Sequence, residues 1–346
     1  MSDDTASDEG ARALQPLPPW LIAGAREALS RREHWPHALL ISGREGTGKR
    51  ALALHFAHAL VCETPRDDGS ACGQCASCRY AGAGQHPDLK IVEPIDIDDE
   101  GIATPTDTIK VERIRELTYW TQVTSHRGGA KVAVVYPAER MHTSAANALL
   151  KTLEEPPPGT YLMLVSHQPG RLPATIASRC SRHVVALPSS GDGVPWLQGQ
   201  GVANAPELLA QAGGAPYIAL SLAEPGLQSE RAAWLAALAT PERLAPAALA
   251  ARIELGGRDG RRDRLAAAID WLIAWTGDLA RIGAGGAAAR NTDHAGELAP
   301  LAARVAAIAL FRYHRRLLQQ RSVITHPLQP RLVAEALLIE YRALFH

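Results

Sequence analysis

Residues 43–50, Gly43-Arg44-Glu45-Gly46-Thr47-Gly48-Lys49-Arg50, decide how the chain is read. Gly43, Gly48 and Lys49 satisfy the phosphate-loop pattern G-x-x-x-x-G-K-[ST], and the last position does not. In a working loop the glycines bring backbone N–H groups onto the phosphates. The lysine reaches the β/γ oxygens and the closing hydroxyl holds Mg²⁺. Arg50 has no acceptor atom, so it cannot hold the metal.

The flanking sequence supplies the context such a loop requires. HALLISG (37–43) is a short apolar run ending in glycine, as a buried parallel strand is. A helix starting near Lys49 carries Leu52, Leu54, Phe56, Ala59 and Leu60. A loop of this class also needs an acid at the end of a second strand. The corresponding run, KVAVVY (131–136), leads into Pro137 with no carboxylate, and Glu139 is the nearest. Both magnesium-holding positions are therefore replaced and hydrolysis is not expected. A plain strand-to-helix turn would use the same glycines, but the surrounding strand and helix favour descent from an ATPase. Gly43, Gly46, Gly48 and Lys49 remain candidate phosphate contacts, with weak or no nucleotide binding.

Working outward, LKIVEP (89–94), YLMLVS (161–166) and HVVAL (183–187) read as further strands. They alternate with helices over Trp20–Arg32, VERIRELTYW and AANALLKTLEEPP, the last ended by Pro156. Alternation of this kind predicts a doubly wound α/β sheet. From Pro188 onward strand signals cease, and Gly/Pro clusters separate Ala- and Leu-rich helical blocks. Residues 241–346 hold fifteen arginines, ten acidic residues and no lysine, densest in FRYHRRLLQQR (311–321). A basic helix with Phe311 and Tyr313 suits DNA phosphates, but a solvated face or partner contact is the favoured reading.

Across all 346 residues, 36 basic side chains balance 36 acidic ones, so the chain has no global attraction for nucleic acid. No apolar run reaches the length of a membrane span. The opening MSDDTASDEG is acidic and polar, unlike a signal peptide, and predicts a disordered tail over 1–16 and a cytoplasmic location.

Four of the five cysteines, Cys62, Cys72, Cys75 and Cys78, are spaced C-x₉-C-x₂-C-x₂-C. Thiolates two residues apart converge on one tetrahedral ion, and four of them fill a structural zinc site with no open position. Glycines at 69 and 73 let the loop wrap. Four unrelated reduced cysteines are the competing reading. His86 is a substitute ligand, although HPDL (86–89) reads better as the start of a strand, and Cys180 stands apart.

In order, GREGTGKR, the cysteine cluster, HPDL, NALLKTLEEPP (147–157) and SRC (178–180) resemble the bacterial DNA polymerase III clamp loader, of the AAA+ class. Two branches share these motifs: the ATP-hydrolysing motor (gamma/tau) and delta-prime. The motor carries Ser/Thr and Asp-Glu where this chain has Arg50 and Tyr136-Pro137, and LPPWL (17–21) is similar to the start of delta-prime proteins. The resemblance implies a RecA-like AAA+ domain over 17–187 with a zinc-binding insertion (62–78), a helical lid over 188–226, and a helical collar over 227–346 that oligomerises. It implies a hetero-oligomer with gamma/tau motor subunits and the delta subunit, reaching the sliding clamp and primed DNA through the assembly. No active site of its own is implied, only membership of the DNA-directed DNA polymerase holoenzyme. Arg179 of SRC, and not Arg182, takes the role of an arginine reaching a neighbour's ATP site. The alternatives are an ATP-hydrolysing motor and a zinc-dependent nucleic-acid-binding module. The neutral charge balance counts against the second.

Overall fold

In the computed structural model the described residues are 16–97, 103–255, 260–324 and 329–345. The acidic tail expected over 1–16 lies, up to residue 15, outside them. The chain divides into two compact units, Met1–Pro188 and Ser189–His346.

The first unit is built on a five-stranded parallel sheet in the order β2-β5-β6-β1-β7. Its strands are β1 (Ala38–Ser42), β2 (Leu89–Val92), β5 (Lys131–Val135), β6 (Thr160–Ser166) and β7 (Ser181–Val184). A short hairpin, β3 (Ile95–Ile97) with β4 (Ala103–Pro105), stands outside this sheet. The helices are α1 (Pro19–Leu29), α2 (Lys49–Val61), α3 (Ala76–Gly82), α4 (Val111–Gln122), α5 (Thr143–Glu154) and α6 (Ala174–Ala177).

All residues of β1 and β5 are buried, which is why both read as unbroken apolar runs rather than alternating ones. The period of two still sorts their side chains between the faces. Val132 and Val134 join Leu21, Leu52 and Phe56 of α1 and α2. Ala133 and Val135 join Ile114, Leu149 and Ile176 of α4, α5 and α6. The order reverses at β1, which lies between β6 and β7. The loop leaving its carboxyl end therefore opens at the switch point where α/β sheets place ligands.

The last strand differs from expectation. β7 pairs with β1 from Leu39↔Ser181 to Ser42↔Val184, two residues ahead of the apolar run HVVAL. It is an edge strand with mostly exposed residues, so hydrogen bonding to β1 rather than burial defines it.

The second unit is all helical: α7 (Ser190–Gly199), α8 (Ala205–Gln211), α9 (Pro216–Leu222), α10 (Pro225–Leu238), α11 (Pro246–Ala250), α12 (Arg261–Gly283), α13 (Ala295–Ala302), α14 (Ala307–Ser322) and α15 (Pro330–Ala343). Leu197, Leu208 and Ala219 belong to one apolar cluster, and a larger one gathers Trp234, Trp275, Leu317 and Tyr341. Asp278, 1% exposed, accepts backbone N–H groups of Ala289, Arg290 and Asn291. Arg290 Nε then donates to the Gln211 carbonyl at 2.6 Å, joining the two clusters. Several arginines of the basic stretch pair across helices, among them Arg252 with Glu230, Arg316 with Glu340, Arg321 with Asp270 and Arg331 with Glu254. Tyr313 is a core residue, 4% exposed, whose hydroxyl donates to the Leu337 carbonyl. It is not the DNA-facing aromatic the sequence suggested. Among the described residues no helix is long and apolar enough to cross a membrane.

Candidate functional sites: a self-satisfied phosphate loop and a four-cysteine centre

The loop after β1 keeps the backbone of a phosphate cradle. Gly43, Gly46 and Gly48 have φ of 149°, 76° and 90°, in the region glycine adopts without a steric penalty. Gly48 caps α2, so the helix N-terminus faces the loop. The side chains do something else. Lys49 is only 2% exposed, and its Nζ donates to the Arg44 carbonyl at 2.5 Å. Burial holds its pKa down to about 8, against the opposing pull of Glu45 and Glu139. The Thr47 hydroxyl donates to the same carbonyl at 2.9 Å.

Arg50 stands where a magnesium-binding hydroxyl would be. Its Nε donates to Glu93 Oε1 at 2.8 Å, and its guanidinium carbon lies 5.9 Å from the Tyr136 ring centroid. Glu93 follows β2, and sequence reading missed it. Glu139 has another partner, its Oε1 accepting the His167 N–H at 3.0 Å. The positions expected to lack magnesium ligands are thus occupied by an ion pair and an aromatic ring.

The four cysteines converge. Cys62 directly follows α2, Cys75 caps α3 and Cys78 lies in its first turn. Gly69 and Gly73, with φ of 78° and 77°, turn the intervening loop. The Sγ atoms all lie within 4.8 Å of one another. Cys62–Cys78, Cys72–Cys78 and Cys62–Cys75 are separated by 3.6, 3.8 and 3.9 Å. Tetrahedral zinc with bonds of about 2.3 Å needs sulfurs roughly 3.8 Å apart. The donor set fits the ion.

Backbone amides prepare these sulfurs to carry charge. Cys72 N–H donates to Cys62 Sγ, Gln74 and Cys75 N–H donate to Cys72 Sγ, each at 3.3 Å, and Cys78 N–H donates to Cys75 Sγ at 3.4 Å. The Thr64 hydroxyl and these amides bring the Cys72 thiol down to about 5. Burial pushes the Cys62 and Cys78 thiols up. The group could hold a metal ion, and all four ligands come from this chain.

His86 is not a fifth candidate. Its Nε2 meets Ser77 Oγ at 3.0 Å, and its Nδ1 accepts the Asp88 N–H. Asp88, 1% exposed, accepts from Ser125 Oγ and from the backbone of His126 and Arg127. Arg127 then reaches Glu63 and Ser77. HPDL therefore fastens the cysteine module to the loop before β5. Cys180 is buried, with Sγ on the Ile176 carbonyl, outside the four-sulfur group.

Arg179 follows α6 and is half-buried. Its Nη2 pairs with Glu154 Oε1 at 2.6 Å, and its Nη1 donates to the Thr175 carbonyl at 2.9 Å. Glu154 ends α5 and was not singled out in the sequence.

A protein-family model described as DNA polymerase III, delta subunit matches residues 26–188. A DNA polymerase III subunit delta' of Pseudomonas aeruginosa is 42% identical over 219 residues, covering 62% of this chain and 63% of the relative. That match therefore spans less than two thirds of the relative's length. The corresponding subunit of Haemophilus influenzae is 31% identical over 246 residues, covering 70% of each chain. A DNA polymerase III subunit tau of Escherichia coli is 40% identical over 152 residues, but these make up only 22% of that relative. The tau likeness is confined to a segment, whereas the delta-prime likeness runs through most of both chains, and the chain belongs to the DNA polymerase III delta-prime family.

Proposed function

We propose that this chain is the non-hydrolysing stator of a DNA polymerase III clamp loader, helping to load the sliding clamp on primed DNA. The observation that carries this reading is the Arg50–Glu93 pair at the phosphate loop, with Lys49 folded onto the Arg44 carbonyl. An ATPase at this loop would have to release Lys49, break the ion pair and find a magnesium ligand that neither Arg50 nor Tyr136 offers. The tau likeness over 152 residues favours a motor as the second reading, and the same loop chemistry argues against it.

What such a stator contributes is a frame. In this proposal the AAA+ domain (17–187) presents Arg179 to the ATP site of a neighbouring motor subunit. The lid (188–226) and collar (227–346) hold the chain among gamma/tau and delta subunits in the cytoplasm. A guanidinium beside the γ-phosphate stabilises charge that grows in the transition state. A structural zinc on Cys62, Cys72, Cys75 and Cys78 would supply cross-linking and no open coordination position.

Two measurements test the reading. The purified chain is expected to show no magnesium-dependent ATP turnover; turnover abolished by Lys49→Ala would overturn it. In a loader reconstituted with motor and delta subunits, Arg179→Ala is expected to leave assembly intact. It should lower DNA-stimulated hydrolysis at the neighbouring site at least about tenfold, well inside the roughly 10³–10⁵ that a finger contributes in GTPases. An unchanged rate in a correctly assembled complex would remove the finger role.

A further inference from the structure

We propose that Glu154 is a positioning residue for Arg179, fixing the guanidinium before a neighbour's nucleotide meets it; the proposal rests on the finger reading above. An arginine carries large rotamer entropy, and one that must be ordered at the moment of reaction gives up part of its stabilising effect. Arg179 is held at both terminal nitrogens by its own chain. Nη2 meets Glu154 Oε1 at 2.6 Å, while Nη1 donates to the Thr175 carbonyl at 2.9 Å, with Ser178 Oγ at 3.5 Å.

These anchors sit on two different elements. Glu154 is the last residue of α5 and Thr175 belongs to α6. Leu149 and Leu153 of α5 share a buried cluster with Ile176 of α6, so the distance between the anchors is set by the core. The pair itself is partly solvated, with side chains 36% and 50% exposed, and such a pair adds little to stability. Its consequence is orientation. The Nε–H and the second N–H of Nη2 are not used by these anchors and are left for an anion.

The mechanism separates the two carboxylate properties. Glutamine keeps an acceptor oxygen at the same place and loses the charge; alanine removes both. In the reconstituted loader, Glu154→Ala is expected to lower the kcat of DNA-stimulated ATP hydrolysis about 3- to 10-fold with KM for ATP unchanged. That is less than the roughly hundredfold cost that a misplacement of about 1 Å can carry. Glu154→Gln should recover most of the loss. In an Arg179→Ala background, Glu154→Ala should have no further effect, because its only route to the chemistry is gone. Assembly and metal content, measured on each variant, check that the fold survives. An equal loss from Glu154→Ala in both backgrounds would mean a structural role and overturn the proposal. A normal rate with Glu154→Ala while Arg179→Ala is slow overturns it alone. A normal rate with Arg179→Ala overturns the finger reading and this proposal together.

Discussion

The phosphate loop and the cysteine cluster lie at opposite ends of one helix. Lys49 opens α2 and Cys62 directly follows it, on the order of 20 Å away at the α-helical rise. The two differ in how their polar atoms are satisfied. At the loop, Lys49, Thr47 and Arg50 all find partners within the chain. At the cluster, four sulfurs point at one another, and two of them are pushed toward the neutral thiol by their surroundings. Side chains that satisfy one another need no guest. Sulfurs that converge on one point form a donor set that a cation can hold together as thiolates.

What do the glycines do in a loop whose side chains already satisfy one another? A Cβ on Gly43 would lie 2.2 Å from the carbonyl oxygen of Val185, just past β7. The close approach of loop to sheet edge requires glycine here whether or not phosphate binds. α1 ties the two ends together. Trp20 Nε1 donates to the Thr47 carbonyl, a Cβ on Gly69 would strike the Leu29 carbonyl, and Arg32, just beyond the helix, bonds the Leu60 and Cys62 carbonyls.

The comparison breaks most visibly when the metal is removed. The purified protein should contain about one zinc per chain, and Cys75→Ser should lose it. A structural zinc is worth about 10–16 kcal/mol in zinc-finger peptides, much of it spent on ordering the chain. Even about 3 kcal/mol retained as stability would lower Tm by roughly 6–12 °C in a unit of this size. A metal-free protein with an unchanged Tm would show that the sulfurs are satisfied like the loop. Acid should release the ion, because its ligands must be deprotonated to bind.

A smaller effect separates the two kinds of glycine. Gly43→Ala forces backbone against backbone and is expected to cost about 3 kcal/mol. Gly73→Ala meets nothing within 4 Å and is strained only by its φ of 77°, so about 1 kcal/mol is expected. Denaturant titrations of the two variants measure the difference. Equal losses would mean that Gly43 is not held by its contact with Val185.

The strands were legible in the sequence because burial on both faces writes an unbroken apolar run, as in ALLIS and KVAVV. The cysteine centre was legible because ligand spacing is itself chemistry. The ion pairs that escaped reading share one cause: the deciding partner lies far away in sequence. Glu93 reaches Arg50 across the sheet, Glu154 reaches Arg179 between two helices, and Glu63 meets Arg127 at the edge of the cysteine module. α3 was hidden because its buried side, Ser77, Cys78 and Ala81, carries no large apolar residue to mark a helical period. The pair β3 and β4 was too short and too polar to register.

Lys49 gives the smallest and most discriminating effect. It is a buried cation held by the carbonyl of its own loop, with a folded pKa of about 8 against 10.5 for a free lysine. Between those values the unfolded chain binds more protons than the folded one, so stability should rise as pH climbs from about 8 to 10.5. Below pH 8 both states are charged and the full cost of burying the charge remains. Lys49→Met keeps the length and helix preference of the side chain and removes that cost. The Arg44 carbonyl is not orphaned, because Thr47 Oγ1 still donates to it at 2.9 Å. The variant is therefore expected to be more stable by about 1 kcal/mol at neutral pH. It should also lose the rise in stability above pH 8. In the reconstituted loader its ATPase rate should match the parent, as the proposed stator role requires. A less stable Lys49→Met protein at neutral pH would mean that the Lys49–Arg44 bond outweighs desolvation, and an unchanged rise above pH 8 would mean that other lysines produce it. The phosphate loop would then resemble the cysteine cluster more than it differs from it, as a place where a charged group is retained because the fold depends on it.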